Sequence, residues 1–355
     1  MDWSSYLLSA LPLAHGGPEV RATLRAEPED FRVEELLGFA PSGEGEHLFL
    51  LIRKRNQNTA WVAAQLARAA GVREDAVSYA GLKDRRAVTT QWFSVQLPTR
   101  QLPDLSALWS DDIALQEQTW NARKLRRGAH RGNRFVIVLR ALEGDRDRLE
   151  QRLAQIAAQG VPNYIGPQRF GHDNGNLLAG EALLRGPARG RLSHRASLAV
   201  SAVRSALFNR VLGERIAQQS WSRCLPGDVL MLDGRGSFFR PDPDDATLGA
   251  RLQQMEIHPT GALFGRGEPG VTADVLALEQ RVAAATEGLA EALGSHGLEA
   301  QRRALRLQVA ELAWRWPEPA ALELSFGLTS GAYATSVLRE LAELRGSDIG
   351  ALPVE

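Results

Sequence analysis

The feature that most limits the fold of this chain is the order of its periodicities, with strand-like alternation towards both ends and helical patterning between. Phe31 and Val33 alternate with polar neighbours in the charged segment EPEDFRVEE, as on a half-buried strand. Residues 47–52 form a short apolar run, and 91–96 and 134–140 (RFVIVLR) read as further strands. Near the other end Leu305, Leu307 and Val309 alternate, and after the breaker WPEP so do Leu322, Leu324, Phe326 and Leu328. Between and beside these lie helical patterns. TAWVAAQLARAAG is capped by Asn58-Thr59 and stopped by Gly71. A helix opening at Asp145 carries Leu149, Leu153 and Ile156 on one face, with Gly160 after its last turn. Residues 166–190 are glycine-rich, 197–218 strongly helical, and the chain then reads as turns and loops to about Pro269. Long helices are expected at 272–293 and from about 332 to 344, the latter with Tyr333, Val337 and Leu341 in one stripe.

This order predicts an α+β domain interrupted by an insertion at roughly 159–307, so that 1–158 and 308–355 belong together. A plain tandem of two domains is the alternative that pattern alone leaves open. A length of 355 residues exceeds what one hydrophobic core usually serves. No apolar run is long enough to span a bilayer, and the opening MDWSSYLLSALPLAHGG has a short apolar stretch with Asp2 where a signal peptide carries positive charge. We read it as part of the mature protein and expect a cytoplasmic location. Cys224 is the sole cysteine, which excludes an intramolecular disulfide and a thiolate zinc cluster. The seven histidines are scattered without metal-ligand spacing, and no metal is expected.

The formal net charge is zero, but its distribution is uneven. Residues 118–142 contain no acid yet carry Arg123, Lys124, Arg126, Arg127, Arg131, Arg134 and Arg140. Residues 182–213 again lack acids and carry Arg185, Arg189, Arg191, Arg195, Arg204 and Arg210. With only three lysines among 42 basic residues, some of this is arginine bias producing ordinary solvated faces. Two such tracts on a neutral protein nevertheless favour a one-sided footprint for RNA.

The segment richest in chemistry is YAGLKDRRAVTTQWF (79–93). Lys83, Arg85 and Arg86 flank Asp84, and a carboxylate among cations is held ionised, which suits a nucleophile better than a general acid. The cations would also serve as phosphate contacts. Taken alone, the same residues describe a surface salt-bridge cluster between two strands equally well.

The run AGLKDRRAVTTQ closely resembles the signature of the TruD family of pseudouridine synthases, which modify tRNA. Other segments extend the resemblance in order along most of the chain: TLRAEPEDFRVEE (23–35), RGNRF (131–135), VPNYIGPQRFG (161–171), SALFNR (205–210) and FGLTSGAYATSVLREL (326–341). GLKDRRA and NYIGPQRFG are the specific members of this set, and SALFNR alone would be weak. The resemblance implies a catalytic domain with a mixed or antiparallel sheet and flanking helices, interrupted by an inserted α/β domain. It implies Asp84 as the catalytic carboxylate, Phe31, Asn133 and Tyr333 as residues of the nucleotide pocket, Phe135 as the Phe of an Asn-x-Phe motif, and Arg25 as a basic residue near the aspartate. Without it, Phe31, Phe135 and Tyr333 would read as core, Asn133 as a turn residue and Arg25 as a solvated charge. Ile165 departs from the family where an aromatic residue is common, and Thr329 where proline is common.

The implied reaction isomerises a uridine to pseudouridine, by family resemblance uridine 13 in the D-arm. It breaks a C–N bond and remakes the link through carbon, so no cofactor is expected. The target base must leave its stack to be reached, and aromatic faces would hold it. Asp84 would act as nucleophile or as base, a choice the sequence leaves open. Lys83, Arg85, Arg86, Arg126 and Arg127 are the candidate RNA contacts. The expected partner is tRNA, with no membrane, no obligate protein partner, and a monomeric state. Two other classes compete: a non-catalytic RNA-binding protein, and a glycoside hydrolase using paired acids such as Glu34 and Asp84.

Overall fold

The computed structural model describes residues 1–188 and 190–346; Arg189 of the second basic tract and the tail of the expected C-terminal segment lie outside the described residues. The chain begins with β1 (Val20–Leu24), β2 (Phe31–Leu37), β3 (His47–Arg55), α1 (Thr59–Ala69), β4 (Val77–Tyr79), β5 (Val88–Gln96), β6 (Ile113–Asn121) and β7 (His130–Gly144). There follow α2 (Arg146–Gln159), β8 (Val161–Pro162), α3 (Gly175–Leu184), α4 (His194–Ala217), β9 (Leu230–Leu232), β10 (Phe238–Phe239), α5 (Leu248–Gln253) and β11 (Ile257–Leu263). The last part holds α6 (Ala273–Ala284), α7 (Leu289–Ser295), β12 (Gln301–Ala304), β13 (Arg306–Leu307), β14 (Ala310–Glu318), β15 (Ala321–Thr329), α8 (Ala334–Leu341) and β16 (Glu343–Arg345). Two compact units result. One combines Arg21–Gly144 with Ala310–Gly331 and the described residues from Leu344; the other combines Met1–Val20, Asp145–Val309 and Ala332–Glu343.

The first unit is built on a sheet ordered β14-β15-β7-β2-β5-β3-β6, to which β1, β4 and β16 add at the sides. The β2–β5 pair is parallel, while β2–β7, β7–β15 and β3–β5 are antiparallel, so the sheet is mixed. Helix α1 covers one face. Its Val62, Leu66 and Ala67 pack with Leu48, Leu50 and Ile52 of β3 and Phe93 and Val95 of β5. The capping signal acts as the sequence suggests: Asn58 Oδ1 accepts the Ala60 amide at 2.8 Å. The segment WPEP ends one strand and leads into the next: β14 runs through Trp316 and Pro317 to Glu318 before the turn into β15, with irregular pairing between Arg315 and Glu318.

The second unit is organised around α4, whose buried residues lie on nearly all sides, the pattern of a helix enclosed by its own domain. Gly180 lets α3 approach it closely; a Cβ there would sit 2.1 Å from the Ala199 carbonyl oxygen. Asn209 of α4 clasps Ile165 from both sides, accepting its amide at 2.8 Å and donating to its carbonyl at 2.9 Å. The NYIGPQRFG and SALFNR segments are thereby one structural feature. Two sequence expectations change here. The single helix expected over 272–293 is two, because the chain turns through Glu287 and Gly288 in left-handed conformations, with φ +53° and +86°. The stretch expected as loop contains the buried strand β11, flanked in its sheet by β9 and β12; Pro259 and Gly261 had masked its strand character. No helix among the described residues is long and apolar enough to cross a membrane.

Candidate active site

Asp84 lies in the loop between β4 and β5, and the loop is tied to the sheet by buried polar side chains. Thr59 Oγ1, at the start of α1, accepts the Lys83 amide at 3.1 Å and donates to Gln91 Oε1 at 2.8 Å. Gln91 Nε2 donates to the Gly81 carbonyl at 3.1 Å. The Gly128 amide reaches the Ala80 carbonyl at 2.7 Å. Lys83 Nζ forms an enclosed ion pair with Glu35 at 2.7 Å, and Glu35 also accepts the Trp92 amide at 3.2 Å. Each group satisfies another, as buried polar groups must, so the loop's conformation is fixed from beneath.

The carboxylate itself meets Arg25, whose Nη2 donates to Asp84 Oδ2 at 2.8 Å. Arg25 holds a left-handed backbone, φ +60°, which a non-glycine residue adopts at some strain. Its guanidinium lies 4.0 Å from the centre of the Phe31 ring, a cation–π contact that fixes the planar group in place. Burial raises the Asp84 pKa above the ordinary carboxylate range; Arg25, Lys54 and Lys83 pull it down, in that order, without cancelling the effect. The three cations expected around Asp84 are thus replaced in part. Lys83 is turned to Glu35, Arg85 and Arg86 are exposed, and Arg25 and Lys54 come from distant segments. The neighbours therefore do not hold the carboxyl low, as its sequence context had suggested, because enclosure outweighs them.

The sheet brings the other candidates of this unit to one face. Asn133 pairs across β2 with Glu35, and Phe135 with Val33, one step from Phe31. The Phe31 and Phe135 rings meet edge to face at 6.2 Å, and Phe135 stacks on Phe326 at 5.4 Å. All three rings are buried. Asn133 Oδ1 is buried and has no hydrogen-bond partner among the described residues. Tyr333 belongs to the other unit, where it precedes α8 and packs on a cluster that includes Leu11, Tyr164 and Phe208. Glu34 projects from the exposed face of β2, opposite the buried Glu35, which removes the paired-acid arrangement of a glycosidase. In the first basic tract Arg123, Lys124, Arg126, Arg127 and Arg131 are exposed, whereas Arg134 and Arg140 are paired with Glu311 and Asp30. In the second, Arg191 and Arg195 are exposed, and Arg185 and Arg210 pair with acids.

Sequence reasoning missed Lys54, Glu35, Thr59 and Gln91. Three of them were readable as polar residues in or beside apolar runs, but nothing local says that they meet beneath residue 84.

Comparisons with known proteins identify the family and the fold. A family model described as tRNA pseudouridine synthase D (TruD) matches residues 10–195 and 190–341. The tRNA pseudouridine synthase D of Xanthomonas axonopodis pv. citri is 49% identical, with 98% of each chain covered. That of Methylococcus capsulatus is 51% identical, with 94% of each covered. The crystal structure of the putative tRNA pseudouridine synthase D from Methanosarcina mazei shares the fold, with a TM-score of 0.70 at 22% identity over 93% of this chain and 95% of that one. By sequence over nearly its whole length, the chain belongs to the tRNA pseudouridine synthase D (TruD) family.

Proposed function

We propose that this protein isomerises a uridine of tRNA to pseudouridine, with Asp84 as the reacting carboxylate and uridine 13 of the D-arm as the target. The observation that carries the reading is the Asp84–Arg25 pair: a single guanidinium aims the carboxylate at 2.8 Å and leaves its other oxygen without a side-chain donor among the described residues. In the same unit the Asn133 Oδ1, buried without a partner among the described residues, is suited to accept a hydrogen bond from the base or its ribose. Phe31, Asn133 and Tyr333 are assigned to the target nucleotide, Tyr333 on the family resemblance alone. In this reading 1–158 and 308–355 are the catalytic domain and 159–307 the inserted one, and the enzyme works as a cytoplasmic monomer.

The reaction leaves the composition of the nucleoside unchanged. The C1′–N1 bond breaks, uracil turns within the site, C5 bonds to C1′, the C5 proton leaves for solvent and N1 takes up a proton in its place. Asp84 either attacks C1′, giving an ester that is displaced by C5, or removes the C2′ proton to give a glycal that is reprotonated after rejoining. A carboxylate with a raised pKa serves either route, since it is a stronger base than an exposed aspartate. Arg25 stabilises the anion whenever it is regenerated.

Replacing Asp84 by Asn keeps the shape and removes the charge. Tritium release from tRNA labelled at uridine C5 should fall at least about a thousandfold, with RNA affinity largely retained. Turnover of this variant at the wild-type rate sinks the assignment.

A further inference from the structure

The candidate site contains a buried charge that none of the assignments above uses. Lys54 lies at the end of β3, and its side chain is fully enclosed. Its ammonium has no carboxylate in contact among the described residues. It donates instead to two main-chain carbonyls, of Gln57 at 2.7 Å and of Asp84 at 3.4 Å. An ammonium taken out of water and given only carbonyls is unfavourable for stability unless something else selects it, and an apolar side chain of the same length would fill the space more cheaply.

We propose that Lys54 is a positioning residue for the catalytic aspartate: it grips the Asp84 main chain from below while Arg25 grips the carboxylate from the side, so that backbone and side chain are both fixed. The proposal rests on the reading of Asp84 as the reacting group. Two cations on the two ends of one residue remove its rotational freedom, and they favour the charged carboxylate at the start of each turnover. The charged groups facing Lys54 are Asp84 and Lys83 of the loop, the latter neutralised by Glu35. Across the ladder it faces Thr89 of β5 and Ile113 of β6, neither of which is charged. Burial brings the Lys54 amine down to about 8, with Asp84 opposing and Lys83 adding to the shift. Losing this proton loosens the grip on Asp84, so turnover should decline from pH 7 to 8.5, by about fourfold for a single group titrating near 8.

The sign of the stability effect is opposite. The folded pKa lies below the unfolded value of 10.5, so the unfolded chain binds more protons between about 8 and 10.5, and this group's contribution to stability rises with pH there. Activity falling while stability holds or rises is a signature that a merely structural lysine would not give.

The test is the single-turnover pH profile of wild type, Lys54→Met and Lys54→Arg on labelled tRNA, with Asp84→Asn as the reference for lost chemistry. We expect Lys54→Met to bind tRNA normally, to react about tenfold or more slowly, and to lack the decline between pH 7 and 8.5. Lys54→Arg, which stays charged, should recover part of the rate and also lack the decline. A folded Lys54→Met with wild-type rate and profile overturns the proposal while leaving the role of Asp84 intact. An active Asp84→Asn overturns the functional reading instead. Should neither Lys54 variant fold, the wild-type profile decides, and a rate that is flat across that interval overturns the proposal.

Discussion

Charge is buried in different ways around α4 of the helical unit and around Asp84 of the sheet unit. In the helical unit, Arg215 is enclosed with Asp228 in a two-pronged pair at 2.9 Å and also donates to the Ser220 and Arg223 carbonyls, while Asp228 accepts the Leu225 amide. Arg302 and Glu279 repeat the arrangement, with Thr260 and the Ala262 amide filling the remaining valences. In the sheet unit, among the described residues, Asp84 receives one side-chain donor and Lys54 has no carboxylate in contact. Saturated pairs are structural, since every donor has an acceptor and nothing is left over for a ligand. The under-coordinated aspartate keeps reactivity in reserve. Burial alone therefore does not distinguish the proposed reacting carboxylate from a structural one; what differs is how many donors meet it.

This contrast can be broken experimentally. Arg215→Met strands the Asp228 carboxylate in a dry interior and should lower stability by about 3–5 kcal/mol in chemical denaturation, with catalysis per folded molecule unchanged. A loss under 1 kcal/mol would mean that the saturated pair is not structural. Arg25→Met strands a carboxylate that is about 16% exposed and already raised in pKa. Stability should suffer much less, and the rate should fall about ten- to a hundredfold. Because Arg25 lowers the Asp84 pKa, its removal should move the acid limb of kcat/KM to higher pH, a shift that must be absent if the pair is only a strut. Charge reversal of Arg126 and Arg127 touches neither kind of pair. Binding to tRNA should weaken several-fold at low salt and less at high salt, while the rate at saturating RNA stays put; a salt-independent isotherm removes this tract from the RNA footprint. Smallest is Arg134→Gln, which opens an exposed pair with Glu311 and should change stability by no more than about 0.5 kcal/mol.

Much of the loop that carries Asp84 was legible because its signature is local: GLKDRRA occupies seven consecutive positions. The flanking charges misled for the same reason. The residues around Asp84 sit in an irregular loop with no alternation to read, so Lys83 turns inward to Glu35 while Arg85 and Arg86 are both exposed. The actual partners, Arg25 and Lys54, arrive from β1's end and from β3, and only the sheet order places those strands around the loop. β11 was missed because a strand buried along most of its length need not alternate, and proline and glycine within it read as breakers.

The sequence by itself determined the family and the strands and helices that carry the motifs, and it singled out the carboxylate proposed to react, because these depend on residue order and periodicity. Tertiary structure alone decided what surrounds that carboxylate. Enclosure raises its pKa against three cations, an arginine bent into a left-handed conformation meets it, and a buried lysine bonded to main-chain carbonyls lies beneath it. Such effects fall off over a few ångströms of space, and nearness in space between residues 25, 54 and 84 is a property of the folded sheet.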